Sequence, residues 1–177
     1  MKIFVAGATG ALGTPLVRAL LAAGHVVVGM TRTAGHQLKL VAAGAQPIVA
    51  DALDRRALLQ ATAHLRADAV VHALTALPKN GPMRHADLFA TDELRSAGTS
   101  HLLAAARAMG ARRFVAESMT LGYGYRDFGA RAVTEEQPFA PPGRTRDIEH
   151  HLAALRSMEQ QLRDATREGW IEGIALR

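Results

Sequence analysis

The stretch "FVAGATGALG", residues 4–13, decides how this chain folds. A short apolar run ending at Ala6 meets three glycines spaced three apart, Gly7, Gly10 and Gly13. An alanine- and leucine-rich segment follows at once, so the glycines stand where a strand turns into a helix. At such a turn glycine lets the chain reverse tightly, lets backbone approach a ligand closely, and lets the helix pack against the strand. The first N–H groups of the helix are then unpaired and carry partial positive charge, a setting suited to a pyrophosphate. A glycine triplet alone is weak; its meaning depends on the sheet around it.

The rest of the chain supplies that sheet. Apolar runs fall at 2–6, 25–30, 46–50, 69–73, 113–117 and 171–176, each nearly unbroken in Val, Ile, Phe and Ala, as parallel strands covered on both faces require. Helical segments are expected between them at 11–23, 35–43, 55–64, 87–109 and 147–167. Strict alternation of this kind predicts an α/β doubly wound parallel sheet of about six strands, a Rossmann fold. Two connections are too long to be simple turns: 75–86, with Pro78, Gly81 and Pro82, and 119–145, with four glycines and three prolines. Long loops of this type are functional or disordered. No repeat or linker divides the chain, so residues 1–177 are read as one domain.

Composition narrows the partners. With 49% hydrophobic residues, 177 residues fill one sizeable core. No run reaches the ~18 apolar residues of a membrane span, and the N-terminus enters a strand without the pattern of a signal peptide. A cytoplasmic protein that does not engage membranes is expected. The lack of cysteine excludes disulfides and thiolate metal sites. A net charge of +5 and a pI near 10.4 raise the question of nucleic acid. The arginines, however, are scattered (Arg32, Arg55, Arg56, Arg66, Arg112, Arg113, Arg144, Arg146) and aromatics are only 5%, so no nucleic-acid partner is expected.

The G-x-x-G-x-x-G spacing of "GATGALG" resembles the short-chain dehydrogenase/reductase superfamily, in particular its extended and atypical members, the NAD(P)-dependent epimerase/dehydratase family. Further stretches carry the resemblance along the chain: "IVADALDRRAL" at 48–58, "AVVHAL" at 69–74 and "AGTSHLLAAARAMGARRFV" at 97–115. It implies a nicotinamide dinucleotide held by Gly7, Thr9, Gly10, Ala11, Leu12 and Gly13. It also implies that Asp51, with Ala52 and Leu53, contacts the adenine, and that Ala73, Leu74 and Thr75 line the cofactor beside the fourth strand. At the end of the second strand, "GMTRT" offers Arg32 flanked by Thr31 and Thr33, with no acid nearby. A guanidinium can clamp a 2′-phosphate bidentately, whereas an acid would hold ribose hydroxyls, so NADP is expected in preference to NAD.

The resemblance weakens at the catalytic residues. Members that transfer hydride use a Ser or Thr after the fifth strand and a Tyr-x-x-x-Lys on the next helix, the Lys lowering the pKa of the Tyr. No Tyr-x-x-x-Lys occurs in this chain. Matching "RFVAESMTLGYG" puts Met119 at the Ser/Thr position, with Ser118 and Thr120 beside it, and counting back from Glu159 puts His151 at the Tyr position and Leu155 at the Lys position. His151, Leu155, Met158 and Leu162 form one helical stripe, which favours a packed, hydrogen-bonded histidine over a proton donor. Tyr123 and Tyr125 lie in the long loop, as lids or as packing. The adjacent pairs Glu135/Glu136 and His150/His151 lack metal-site spacing, and no metal is expected.

Extended members of the family continue past the position of Arg177 into a substrate-gripping region, which is largely missing from these residues. Three readings stay open: an oxidoreductase or epimerase acting on a carbonyl or sugar-like small molecule, an NADP-sensing module without chemistry, and an inactive fragment. A homodimer is compatible with all three.

Overall fold

Alternate residues of the first strand face opposite sides, and in this chain both sides are apolar. In the computed structural model, which describes residues 1–177 except 79, 125, 131, 143 and 144, that strand is β1, Lys2–Ala6. Ile3 and Val5 enter one core with Val17, Val27 and Leu40, while Phe4 and Ala6 enter the other with Leu58, Leu102, Phe114, Leu155 and Met158. Tyr125 and Arg144, both named from the sequence, lie outside the described residues.

The remaining strands are β2 (Val26–Thr31), β3 (Gln46–Val49), β4 (Ala69–His72), β5 (Arg113–Glu117) and β6 (Glu172–Leu176). All pair in parallel, in the order β3-β2-β1-β4-β5-β6, so the chain reverses its direction of winding between β1 and β4. This is the doubly wound Rossmann arrangement expected from the sequence, and ligands of such sheets bind in the crevice outside the strands' carboxyl ends, at the switch point.

Helices α1 (Gly13–Ala22) and α2 (Gln37–Ala42) follow β1 and β2. Helix α3 (Arg55–Thr62) starts with Asp54, whose carboxylate accepts from the Ala57 N–H at 2.9 Å. Helix α6 (Arg146–Arg167) starts with Thr145, whose hydroxyl oxygen accepts from the Ile148 N–H. Both are side-chain N-caps, each worth about 1 kcal/mol.

The segment read from sequence as one helix, 87–109, is divided. A 3₁₀ turn at His85–Leu88 leads into α4 (Phe89–Glu93), then a π-helical turn at Leu94–Gly98, then α5 (Thr99–Met109). Hydroxyls explain the loosening: Ser96 Oγ donates to the Asp92 carbonyl at 2.9 Å and Thr99 Oγ1 to the Arg95 carbonyl at 2.6 Å. Such back-bonding competes with the regular ladder. The widened turn leaves Asp92, Arg95 and Thr99 buried on an otherwise apolar face. Among the described residues no helix is long and apolar enough to cross a membrane.

Candidate functional site

The glycine turn after β1 is built by exclusion. Gly7 has φ +90°, and a Cβ there would stand 2.4 Å from the Ala73 carbonyl oxygen; one on Gly13 would stand 2.0 Å from the Gly7 oxygen. Those two glycines are therefore demanded by the protein's own backbone. Gly10 is different: a Cβ would meet only the Gly7 oxygen at 3.2 Å, and the residue is exposed together with Ala11 and Leu12. Helix α1 has no side-chain cap and no acid in its first turn, in contrast to α3 and α6, which are both capped. Of its first N–H groups, Thr14 donates to the Gly10 carbonyl at 3.0 Å and Leu16 to the Leu12 carbonyl at 3.2 Å, and Pro15 has none, so what the helix start offers an anion is its dipole and the N–H groups at and just before Gly13.

The other residues named for a cofactor stand at neighbouring strand ends. Thr31 is buried and closes β2, with its Oγ1 accepting from the Thr33 N–H at 3.3 Å; Arg32 follows it and is exposed. After β3, Asp51 Oδ1 accepts from the Leu53 N–H at 2.9 Å, and His101 Nδ1 lies 2.8 Å from the Ala52 carbonyl. After β4, Ala73 is buried against Gly7, Leu74 is half-buried and Thr75 is exposed. Thr9, half-buried, is in the glycine turn itself. One sheet edge thus collects all of these positions.

His72, the last residue of β4, braces that edge. The Leu74 N–H can only donate, so His72 Nδ1 accepts at 3.2 Å, which puts the ring proton on Nε2, where it donates to the Leu94 carbonyl at 3.2 Å. Burial pushes its pKa down to about 4, so the ring is neutral.

The catalytic candidates divide. Ser118 is buried and its hydroxyl donates to Glu159 Oε1 at 2.7 Å. Thr120 is exposed at the start of a 3₁₀ turn, Thr120–Tyr123. Tyr123 is buried, donates to the Thr134 carbonyl at 3.3 Å, and lies under the Arg177 guanidinium at 4.9 Å, the arrangement of a packed aromatic. Leu155 is fully buried, and Met119, beside Ser118, is 39% exposed.

His151 is buried yet polar-bonded on both nitrogens. Its Nδ1 is 2.5 Å from Asp92 Oδ2, and its Nε2 is 3.0 Å from Nδ1 of His85, an exposed residue of the turn that ends the 75–86 loop. Asp92 is itself buried; its Oδ1 has no hydrogen-bond partner among the described residues, although Arg95 Nη1 stands 3.7 Å away. Burial pulls the Arg95 guanidinium below its usual pKa, with Asp92 and Glu117 opposing. Neither His85 nor Asp92 is singled out by the sequence. A signal for Asp92 exists in the spacing of Asp92, Arg95 and Thr99, three and four apart on one helix face. Among the described residues no group of three or more His, Asp or Glu side chains is arranged to hold a metal.

Sheet order and glycine turn together define a Rossmann-type α/β domain. The chain belongs to the NAD-dependent epimerase/dehydratase family, whose model matches residues 3–177. Among solved structures, a short-chain dehydrogenase/reductase superfamily protein from Agrobacterium tumefaciens with bound NAD matches the whole chain at 30% identity and a TM-score of 0.72, over 48% of that protein. The UDP-glucose 4-epimerase of Thermus thermophilus, solved with NAD, matches the whole chain at 25% identity and a TM-score of 0.80, over 54% of the epimerase. A Streptomyces 3-diazoavenalumate denitrifying reductase is 48% identical over 122 residues, 67% of this chain and 38% of the reductase. The chain therefore spans about half the length of these solved relatives and less of the reductase.

Proposed function

We propose that this chain forms the cofactor site of an NADP-preferring reductase of the epimerase/dehydratase type, acting on a carbonyl or sugar-like small molecule without the Tyr-Lys pair. The observation that carries the reading is the uncapped start of α1 beside an exposed Arg32 at the carboxyl end of β2. Within 26–50 there is no carboxylate to hold ribose hydroxyls, and none to repel a 2′-phosphate. The relative at 48% identity being a reductase favours reduction over epimerisation, and extends the substrate classes worth testing to diazo compounds.

In this reading Gly7, Thr9, Gly10, Ala11, Leu12 and Gly13 cradle the pyrophosphate, and Thr31 with Arg32 binds the 2′-phosphate. Asp51, Ala52 and Leu53 flank the adenine, while Ala73, Leu74 and Thr75 border the remaining half of the cofactor. A bound nicotinamide supplies a hydride. Backbone N–H groups at the turn provide fixed positive dipoles that need no reorganisation when an anion arrives.

A second reading, cofactor sensing without chemistry, is favoured by one observation: Ser118, beside the family's Ser/Thr position, spends its hydroxyl on Glu159. The two separate in one assay. With NADPH present, a panel of aromatic carbonyl and aryl-diazo compounds is followed at the absorbance of the reduced nicotinamide. Loss of absorbance with a panel member supports the reductase; NADPH that binds but is not consumed by any member favours the sensor.

A further inference from the structure

We propose that Asp92, His151 and His85 form a proton relay that opens to the crevice through His85, a site for protonating a substrate oxygen. The substrate class, a carbonyl compound, rests on the reductase reading above; the relay rests on geometry.

Three separate elements contribute the three side chains: Asp92 from α4, His151 from α6 and His85 from the turn before α4. A carboxylate only accepts, so His151 Nδ1 donates to Asp92 Oδ2. Neutral His151 then presents a lone pair at Nε2, which accepts from His85 Nδ1–H across 3.0 Å. Both hydrogen bonds fix tautomers, and they leave His85 Nε2 without a partner among the described residues, on an exposed side chain. The rings of His85 and His151 lie within 23° of parallel with centroids 5.2 Å apart.

The position along α6 is also informative. Glu159 meets Ser118, just past β5, and Arg177, just past β6, so that level of the helix marks the carboxyl edge of the sheet. His151 lies eight residues nearer the helix start, about 12 Å along the helix axis from that level, toward the end by which the chain enters α6 after β5. The Ala76 N–H donates to Thr91 Oγ1 at 3.0 Å, tying the loop that leaves β4 to the helix that carries Asp92.

Charge explains what the relay would do. The Asp92 carboxylate is buried, and a proton taken up by the His85–His151 pair creates a cation that compensates it. Arg95, facing Asp92 Oδ1, shares that duty; His150 Nε2 lies 3.8 Å from Oδ2, and the Phe89 ring packs on both α6 histidines. On the segment of His85 itself, Asp87 is engaged by the N–H groups of Met83 and Arg84 and by the Arg84 side chain. In reduction of a carbonyl, carbon receives a hydride from a reduced nicotinamide dinucleotide and oxygen receives a proton. That proton leaves His85 Nε2: the N–H bond breaks, an O–H bond forms, and the neutral imidazole keeps its Nδ1–H bond to His151. A proton from bulk solvent then returns to Nε2 and re-forms the imidazolium, so one solvent proton is consumed per turnover, and no electrons pass through the relay. His85 is the residue that touches substrate; His151 and Asp92 position it.

The test is a pH titration of the imidazole nitrogens by ¹⁵N NMR in the 177-residue chain, with Asp92→Asn and His85→Gln variants. The relay requires a His151 that carries its proton on Nδ1 when neutral. It requires the midpoint of His85 to fall by at least about half a pH unit in Asp92→Asn, through loss of the compensating charge, and the midpoint of His151 to move in His85→Gln. Saturating NADP should shift the His85 signals. A neutral His151 protonated on Nε2, or histidines that titrate independently, overturns the relay. If Asp92→Asn does not fold, the His85→Gln titration decides alone, because its substitution is at an exposed site. Calorimetry with NADPH on the same samples keeps the two ideas apart: lost cofactor binding refutes the reductase reading, while coupled titration without binding preserves the relay.

Discussion

Glu159 and Arg177 face each other across two hydrogen bonds, Nε to Oε1 at 2.9 Å and Nη2 to Oε2 at 2.6 Å, and so fasten the end of β6 to the middle of α6. Ser118 adds a third bond to the same carboxylate, from just past β5. Burial works against ionisation of Glu159, but the bonds from Arg177 and Ser118 outweigh it and hold the carboxyl below its usual range. A carboxylate whose folded pKa is depressed contributes stability that is complete above its unfolded pKa, about 4.3, and is lost as pH falls through the folded value. Glu159→Gln should therefore lower stability by about 2 kcal/mol at pH 7, through lost charged hydrogen bonds. Denaturant unfolding at about pH 7 and about pH 3.5 checks this: the difference between wild type and variant must shrink at the lower pH.

His72 predicts a pH effect in a neighbouring window. Its folded pKa of about 4 lies below the unfolded value near 6.5, so the unfolded chain binds the proton first. Stability from this residue is full above about pH 6.5 and falls between there and about pH 4, by on the order of 3 kcal/mol. Thermal unfolding of wild type and His72→Gln across roughly pH 4–8 should give curves that converge as the pH drops. Parallel curves would show that burial of a neutral ring is not the source of the acid sensitivity.

The three glycines of the turn should separate into two kinds. A methyl group on Gly13 would meet the Gly7 oxygen at 2.0 Å, and one on Gly7 the Ala73 oxygen at 2.4 Å with an unfavourable φ as well. Gly7→Ala and Gly13→Ala should each destabilise the fold by about 3 kcal/mol or more. Gly10→Ala, with its nearest neighbour at 3.2 Å, should cost stability far less while weakening dinucleotide binding. Melting temperatures paired with cofactor titrations distinguish the two kinds; equal destabilisation by all three would assign Gly10 to the fold alone.

The sheet is legible in the sequence because parallel strands covered on both faces must be apolar throughout, and the six runs stand out for that reason. Their limits agree within a residue or so: the second run, read at 25–30, is Val26–Thr31. The division of 87–109 is not legible, since the side-chain period of an α-helix hardly changes over a single π turn, and the hydroxyls of Ser96 and Thr99 that loosen it look like ordinary helix residues. Around the candidate site, the glycine turn is readable because local backbone demands determine it, and so is the exposed place of Arg32 just past the second strand. His85 is not readable, for it lies at the end of a loop whose course depends on long-range contacts such as that of Ala76 with Thr91. The sequence does raise the packed reading of His151, which the structure shows as a buried ring; what the apolar stripe hides is the carboxylate behind it.

A dinucleotide site that reads a 2′-phosphate through Arg32 can be checked by calorimetric titration of the wild-type chain and Arg32→Ala with NADPH and NADH at matched salt. Wild type should bind NADPH more tightly than NADH, and Arg32→Ala should lose about 1.5–3 kcal/mol for NADPH with little change for NADH. Equal affinities in the wild type, equal losses in the variant, or no binding of either cofactor would contradict it.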